Sequence, residues 1–290
     1  MGATTLKQLN FTVTRSCEQT RQRLTEAREQ GLTVGLVPTM GALHEGHLSL
    51  VRAAQQKCDL VAVSIFVNPT QFGPQEDLDR YPRPLDDDLQ LLQLLQVDLV
   101  FTPDNREIYP AGFSTFVRPP RVGETLEGQF RPGHFQGVAT VVLKLLHIMP
   151  ADWVFFGQKD YQQCLVIRDL VRDLNLPIRL QFCPTVREPD GLALSSRNQY
   201  LSREQRQRAL GLSRGLQQAR QLFQSGERDT RLIEQRLRET LLEYGVDHID
   251  YAAVRDPETL MERSPMGDQA IALLAAHVGQ TRLIDNLRLD

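Results

Sequence analysis

Short apolar runs alternate with amphipathic stretches along the first two-thirds of the chain. Residues 60–67 are almost wholly apolar, which is typical of a strand buried on both faces of a parallel sheet. Residues 15–30 are polar and favour a helix, which Gly31 ends. Short apolar runs predict strands over 34–37, 60–67, 98–102, 153–156 and 178–182. Amphipathic stretches predict helices over 15–30, 47–57, 85–96, 136–149 and 161–174.

This alternation predicts an α/β fold, with a Rossmann-like parallel sheet in an N-terminal domain, residues 1–185. In the helix predicted from His47, Leu48, Val51 and Ala54 are expected to face the core.

The pattern changes after Cys183. Two charged helices, about 203–224 and 229–243, precede strand-like runs over 248–254, 270–278 and 281–287. We expect a boundary near 184–187 and a smaller α+β C-terminal lid domain over 186–290. A cleft between two domains is a natural place for a ligand.

Composition narrows the class of protein. The 290 residues are 41% hydrophobic and 24% charged with a formal net charge of −3, which is ordinary for a globular protein and argues against a nucleic-acid partner. The four cysteines lie far apart without a CxxC spacing, so neither a cysteine zinc site nor a disulfide framework is predicted. The chain begins without a signal-like segment and has no apolar run near the roughly 18 residues that span a bilayer. We therefore expect a cytoplasmic protein without a membrane partner.

The stretch PTMGALHEGH places two histidines and two glycines where a predicted strand gives way to a helix. A zinc site, a solvated turn and a phosphate-binding turn all remain open from the residues alone. The spacing is not HExxH, and no carboxylate or cysteine cluster supplies a third ligand. A phosphate site explains both residue types, because the glycines permit a tight turn, the helix N-terminus attracts an anion and imidazoles donate to phosphate oxygens.

Five stretches in order carry a resemblance to a known family. TMGALHEGH resembles the HxGH signature of a nucleotidyltransferase superfamily, and its flanks are similar to the pantoate–β-alanine ligase (pantothenate synthetase) family. The other four are SIFVNPTQF (64–72), YPRPLDDDL (81–89), VFFGQKDYQQ (154–163) and REPDGLALSSRNQYLS (187–202).

The resemblance implies a two-step reaction. Pantoate and ATP form pantoyl adenylate and pyrophosphate, and β-alanine then displaces AMP to give pantothenate. The resemblance also implies Mg²⁺ and a homodimer. In some organisms such a chain is fused to a cytidylate kinase, but no P-loop of the GxxxxGK[ST] kind occurs here, so no second activity is expected.

The resemblance assigns a role to residues in each stretch. It implies that His44, His47 and Lys159 act on the ATP phosphates, with His47 as proton donor. Position 158 most often holds glutamate in the family, so Gln158 removes any role for a carboxylate there. The implied nucleotide-binding set is Met40, Gly41, Ala42, Leu43, His44, Glu45, Gly46, His47, Gly157, Gln158, Lys159, Asp160, Val186, Leu194, Ser195, Ser196 and Arg197.

Amides and two basic residues form the implied substrate set for pantoate and β-alanine. By itself Gln71 reads as a turn glutamine, but a neutral amide can also bind hydroxyl and carboxylate groups. The set is Gln71, Gln163, Asn68, Arg131 and His134.

The acidic run Asp86 to Asp88 favours a helix N-terminus stabilised by the helix dipole. Asp87 and Asp88 are alternatively candidates to help hold Mg²⁺.

Three rival classes remain. The first is a nucleotidyltransferase that joins a nucleotide to a phosphorylated substrate and stops there. The others are a non-catalytic nucleotide- or RNA-binding module and, last, a zinc hydrolase. NPTQF and DGLALSSRN argue against the first, and the acidic balance of charge argues against RNA.

Overall fold

The computed structural model describes residues 11–74 and 76–290. The strands are β1 (Thr12–Thr14), β2 (Val34–Thr39), β3 (Leu60–Ile65), β4 (Leu99–Phe101), β5 (Trp153–Gly157), β6 (Arg179–Cys183), β7 (His248–Arg255), β8 (Ile271–Val278) and β9 (Thr281–Arg288). The α-helices are α1 (Cys17–Glu29), α2 (Glu45–Gln55), α3 (Leu85–Leu94), α4 (Asn105–Ile108), α5 (Glu127–Phe130), α6 (His134–Ile148), α7 (Tyr161–Asp173), α8 (Arg203–Gln224) and α9 (Thr230–Glu243). Within these ranges no helix combines the length and apolar character that a bilayer crossing requires.

The chain divides into two compact units. The first contains the described residues up to Pro119, together with Gly133–Gly157 and Ile167–Cys183. The second contains Pro120–Pro132, Gln158–Val166 and Pro184–Asp290.

A six-stranded parallel sheet forms the centre of the first unit, in the order β1-β4-β3-β2-β5-β6. This order confirms the Rossmann-like prediction. On one side of β2 lie β3 and then β4, and on its other side lie β5 and then β6, so the chain builds the sheet outward in two directions. Ligands of such sheets bind beyond the carboxyl ends of the strands where the order reverses, which here is between β2 and β5.

Branched apolar side chains fill this sheet, as expected for strands covered on both faces. Val37, Val63, Val100 and Phe155 are fully buried in one cluster. The five predicted strands of this unit are present, but β1 was missed. It has only three residues, and it pairs with β4 at the edge of the sheet, where packing rather than local pattern places it.

Helix α2 corrects two details of the sequence prediction. It begins at Glu45 rather than His47, because the His44 side chain caps it. Leu50, not Leu48, joins Val51 and Ala54 in the core. Leu50 and Ala54 are four residues apart, about one helical turn, so they share a face. Leu48 and Ala54 are six residues apart, so Leu48 lies on a different face of the helix.

An antiparallel sheet in the order β7-β8-β9 lies in the second unit. Helices α8 and α9 pack with it through a shared core that includes Leu212, Leu216, Ile233, Leu237 and Leu274. This arrangement confirms the α+β pattern expected after residue 185. Two segments that precede it in sequence, Pro120–Pro132 and Gln158–Val166, belong to the same unit.

Candidate functional site

Two histidines form the turn that joins β2 to α2. His44 is the N-cap of α2, and its Nδ1 accepts the backbone N–H of Gly46 at 3.1 Å. Nδ1 of His47 accepts the backbone N–H of His44 at 3.3 Å. The ring centroids are 4.2 Å apart. Each imidazole thus satisfies an amide at the helix N-terminus, where amides otherwise lack partners.

These contacts assign the neutral tautomer of both rings. A ring nitrogen that accepts a hydrogen bond carries no proton, so the proton of each neutral imidazole lies on Nε2. His44 and His47 are half-buried. Their Nε2–H groups are therefore donors beside a helix N-terminus, whose partial positive charge favours an anion.

Asp88, in the first turn of α3, binds the backbone of the same turn. Its two carboxylate oxygens accept the N–H groups of Ala42 at 2.9 Å and Leu43 at 2.7 Å. Burial raises the pKa of Asp88 above its ordinary value, although these two hydrogen bonds act in the opposite direction. A Cβ at Gly41, where φ is +79°, would lie 2.9 Å from Asp88 Oδ2 and 3.0 Å from Cγ2 of Ile65. Glycine is therefore required for the close approach.

A second polar turn, Pro69–Gln71, follows β3 and is capped by Asn68. The buried Asn68 accepts the Tyr109 hydroxyl at 2.8 Å through Oδ1 and donates through Nδ2 to Oε1 of Gln71 at 3.1 Å. Nε2 of Gln71 donates to Sδ of Met40 at 2.8 Å. Burial raises the pKa of Tyr109, which keeps the hydroxyl proton available for donation. This network orients the Gln71 amide next to Met40 at the end of β2.

Helix α6 packs directly against that turn. Nδ1 of His134 lies 2.8 Å from the backbone oxygen of Gln71, and because a carbonyl only accepts, Nδ1 carries the proton. Nδ2 of Asn68 also donates to the Gly137 oxygen at 3.2 Å. A Cβ on Gly137 would lie 2.3 Å from the Thr70 oxygen, so only glycine permits this approach.

A pocket of about 430 Å³ opens beside these residues in the first unit. Met40, Gly41 and Asp88 line it, together with the apolar Phe66 and the charged Arg83. Its volume lies within the roughly 300–1,000 Å³ of small-molecule sites.

Gly157 ends β5, and Gln158–Asp160 follow it as a single 3₁₀ turn that leads into α7. The side-chain amide of Asn286, in β9, donates to the backbone oxygens of Gln158 at 2.9 Å and Lys159 at 2.8 Å. The backbone of the predicted phosphate-binding lysine is thus held by a distant part of the sequence. Lys159 is half-buried, as is Gln163 on α7.

Val186 and Leu194 pair across a short hairpin. The N–H of Leu194 donates to the Val186 oxygen at 3.0 Å. Oγ of Ser195 then accepts the N–H of Arg197 at 3.3 Å and caps the 3₁₀ helix Ser196–Tyr200. The predicted residues of this segment therefore lie on a hairpin and on the 3₁₀ helix that follows it.

Arg131 pairs with Glu127, one helical turn earlier, at 3.6 Å. Glu127 is buried and accepts two hydrogen bonds from Arg282, at 2.7 and 2.9 Å, and one from the Tyr251 hydroxyl at 2.9 Å. Burial acts to raise the pKa of Glu127, but the bonds from Arg282, the charge of Arg131 and the Tyr251 hydroxyl together lower it below its ordinary value. Arg131 is thus part of a charged network inside the second unit.

The residues considered for a metal do not form a dedicated site. Asp87 is exposed, and both oxygens of Asp88 accept backbone hydrogen bonds. Within 11–74 and 76–290, histidine, cysteine and carboxylate side chains do not converge in a group of three that could hold a metal ion.

Several contacting residues were missed from the sequence. Asp88 was considered only for the helix dipole or for Mg²⁺, and nothing in the acidic run distinguishes it from Asp86. Gly137, Tyr109 and Asn286 lie far along the chain from the turns they contact, so no local pattern identifies them.

Comparison with known proteins places the chain in a family. The model of the pantoate–β-alanine ligase family matches residues 12–288. The chain belongs to the pantoate–β-alanine ligase family. A pantothenate synthetase of Moorella thermoacetica is 52% identical over 270 residues, which cover 93% of this chain and 95% of the relative.

Solved structures of this ligase family share the fold. The pantothenate synthetase of Thermus thermophilus superimposes with a TM-score of 0.91 at 44% identity, covering 96% of this chain and 99% of that one. The pantoate–β-alanine ligase of Francisella tularensis, solved with βγ-ATP and β-alanine, gives a TM-score of 0.79 at 34% identity, with 96% and 98% covered. The likeness therefore extends over both units.

Proposed function

We propose that this protein condenses (R)-pantoate with β-alanine in an ATP-dependent reaction that forms pantothenate. In the first step a pantoate carboxylate oxygen attacks the α-phosphorus of ATP, and the bond to the bridging oxygen of pyrophosphate breaks. In the second step the neutral amine of β-alanine attacks the acyl carbon. The C–N bond forms, the bond to AMP breaks, and the amine loses a proton.

The turn after β2 carries this proposal. It lies where strand order reverses, at the carboxyl end of β2, and its two imidazoles cap a helix N-terminus. Such a turn suits polyphosphate, because charge that builds on a phosphate oxygen meets oriented donors without rearrangement. In the proposed reaction Nε2–H of His47 donates to a phosphate oxygen as negative charge moves to the leaving group, and His44 binds the phosphates beside it.

The site for pantoate and β-alanine is proposed to lie around Gln71, Asn68 and His134. Their amide and imidazole groups are held by hydrogen bonds to neighbouring groups rather than left to rotate. None of these three side chains lines the pocket of about 430 Å³, but Met40, which accepts a hydrogen bond from Gln71, does, and that volume has room for a small organic acid. Gln71 is proposed to bind pantoate and then β-alanine, and Gln163 and Arg131 complete the proposed substrate set.

The remaining nucleotide contacts are proposed on two further turns. On the turn that follows β5, Lys159 supplies a point charge for a phosphate, and Gly157, Gln158 and Asp160 supply backbone and ribose contacts. Ser195, Ser196 and Arg197 are proposed to bind pyrophosphate as it leaves. Val186 and Leu194 complete the proposed set, together with Ala42, Leu43, Glu45 and Gly46 in the first unit.

Magnesium is proposed to enter as the complex with ATP. The phosphates and water would supply most of its ligands, which suits a chain whose Asp88 oxygens already bind amides. Asp87 is the exposed carboxylate that would assist. The homodimer, the cytoplasmic location and the division into a domain of residues 1–185 and a lid of residues 186–290 stay predictions.

Pantoate-dependent exchange of labelled pyrophosphate into ATP tests the proposal. With Mg²⁺ and without β-alanine, we expect exchange, because the adenylate step is reversible. Adding β-alanine should then release AMP and pantothenate in equal amounts. A folded protein that binds ATP but shows no exchange would instead serve another acceptor, such as a phosphorylated substrate.

A further inference from the structure

Asn286 connects strand β9 to the turn that carries Lys159. Both N–H groups of its side-chain amide are used, one on the Gln158 oxygen at 2.9 Å and one on the Lys159 oxygen at 2.8 Å. Asn286 is 8% exposed. Because β9 pairs with β8 along its whole length, the amide is mounted on a rigid sheet rather than on a loop.

The preceding residue, Asp285, holds the second proposed nucleotide segment. Asp285 is 2% exposed, and its carboxylate accepts two hydrogen bonds from Arg187, at 2.7 and 2.8 Å. Arg187 also donates to the Gly191 oxygen at 3.0 Å and to the Asn286 oxygen at 3.1 Å. The hairpin that leads to Ser195 is therefore anchored to the same two residues of β9.

The amide of asparagine is the group that this position requires. Two backbone oxygens on consecutive residues need two donors from one side chain, and a primary amide supplies both from a single nitrogen. Aspartate would turn an oxygen towards those oxygens, serine keeps one donor and alanine keeps none. Without these donors the two backbone oxygens lose the side-chain contacts that tie the turn to β9, which allows the turn to shift.

We propose that Asn286 is a positioning residue that fixes the position of the Lys159 turn relative to the Arg187–Gly191 hairpin. The inference rests on the proposed function, since it acts through Lys159 on phosphate charge. Both amide donors of Asn286 are used on backbone oxygens, so its proposed action is on the position of Lys159 and not on the substrate itself. Its contribution is geometric, because a displacement of about 1 Å at a charge-stabilising group lowers the rate by roughly 100-fold.

A double-mutant cycle between Asn286→Ala and Lys159→Ala tests the proposal. We expect Asn286→Ala to lower the rate of pyrophosphate exchange by roughly 10- to 100-fold with little change in KM for pantoate. Asn286→Ser should recover part of that loss, since it keeps one donor. In the Lys159→Ala background, Asn286→Ala should have almost no further effect, because the group it positions is gone.

Thr240→Val is the matched control for stability. Thr240 lies on α9 in the same unit and donates to Gln218 Oε1 at 2.7 Å, so its replacement also removes a buried polar contact. We expect it to lower Tm without changing the exchange rate at a temperature where the protein is folded. If Asn286→Ala lowers Tm below the assay temperature, the same cycle is run with Asn286→Ser.

Two results would overturn the inference while leaving the proposed function intact. One is exchange by Asn286→Ala at the wild-type rate. The other is an effect of Asn286→Ala that is undiminished in the Lys159→Ala background. Absence of exchange in the wild-type protein would instead contradict the proposed function itself.

Discussion

The side-chain amide of Asn68 donates a hydrogen bond to Oε1 of Gln71 at 3.1 Å. This contact determines which way round the Gln71 amide lies, so its nitrogen faces Met40 Sδ at 2.8 Å. Gln71 therefore reaches its proposed substrate with oxygen and nitrogen already oriented, which limits the ordering that binding requires.

Gln71→Ala should weaken pantoate binding more than it slows the bound complex. A hydrogen bond to a charged group contributes about 1.5–3 kcal/mol, which corresponds to a rise in the apparent Kd of roughly 10- to 100-fold. Exchange kinetics over a range of pantoate concentrations measure this effect. Gln22→Ala, at an exposed position of α1, is the control. An unchanged apparent affinity would remove Gln71 from the substrate site.

Gly137→Ala should disturb the Pro69–Gln71 turn. The added Cβ would lie 2.3 Å from the Thr70 oxygen, and because that atom belongs to the backbone, the turn must move. We expect the free energy of unfolding to fall by about 1–3 kcal/mol, and KM for pantoate to rise. Denaturant unfolding and exchange kinetics measure the two effects. Gly267→Ala is the matched control, since its Cβ would meet nothing within 4 Å. Equal behaviour of the two variants would contradict the steric argument.

Asp88→Asn should loosen the turn that carries His44. The substituted amide keeps one oxygen and places an NH₂ group against a backbone N–H, so one of the contacts to Ala42 and Leu43 is lost. The expected cost is about 1–3 kcal/mol in the free energy of unfolding, together with slower adenylation. Asp86→Asn changes an exposed carboxylate in the same helical turn. It should leave adenylation unchanged and cost less than about 1 kcal/mol, the scale of a helix-dipole interaction. If Asp88→Asn keeps its stability but requires a much higher Mg²⁺ concentration for exchange, Asp88 is a metal ligand instead.

His47→Ala and Lys159→Ala should lower the adenylation rate far more than they weaken pantoate binding. Both side chains are proposed to act on charge that develops at phosphate, and one such donor is worth about 10²- to 10³-fold in kcat. Single-turnover formation of the adenylate separates this rate from binding. His147→Ala, at an exposed position of α6, is the control. Equal losses in rate and in pantoate affinity would reject the assignment.

Glu127→Gln should reveal a pH-dependent contribution to stability. The pKa of Glu127 is lower in the folded protein than its ordinary value of 4.5, so the folded state favours the carboxylate. The contribution of the Glu127 carboxylate to the free energy of unfolding is therefore complete above its ordinary pKa. It is lost as the pH falls through the pKa that Glu127 has in the folded protein. Breaking a buried ion pair costs about 3 kcal/mol. Near pH 7 we therefore expect Glu127→Gln to lower the free energy of unfolding by about that amount.

Urea unfolding of both proteins between pH 7 and pH 3 measures this difference. The difference in the free energy of unfolding between the wild-type protein and Glu127→Gln should decrease below pH 4.5. Glu243→Gln removes an exposed partner of Arg236 and should cost less than about 1 kcal/mol. A gap that stays constant with pH would mean that Glu127 does not act through its charge.

The buried strands were predictable because their apolar residues form continuous runs, and the helices because their apolar residues recur at helical spacing. The short β1 was not, since three residues carry too little pattern and its pairing with β4 spans more than 80 positions. The start of α2 was misplaced by two residues. A histidine N-cap gives a weaker signal in sequence than serine or aspartate.

The sequence by itself determined the alternation of strands and helices, the family and the turns that follow β2, β3 and β5. These depend on residues close together in the chain. Only the tertiary structure decided that Asp88 binds the amides of Ala42 and Leu43, and that Asn286 holds the turn of Lys159. Hydrogen bonds and steric limits depend on distance in space, and the folded chain brings those groups together across 45 and 127 positions.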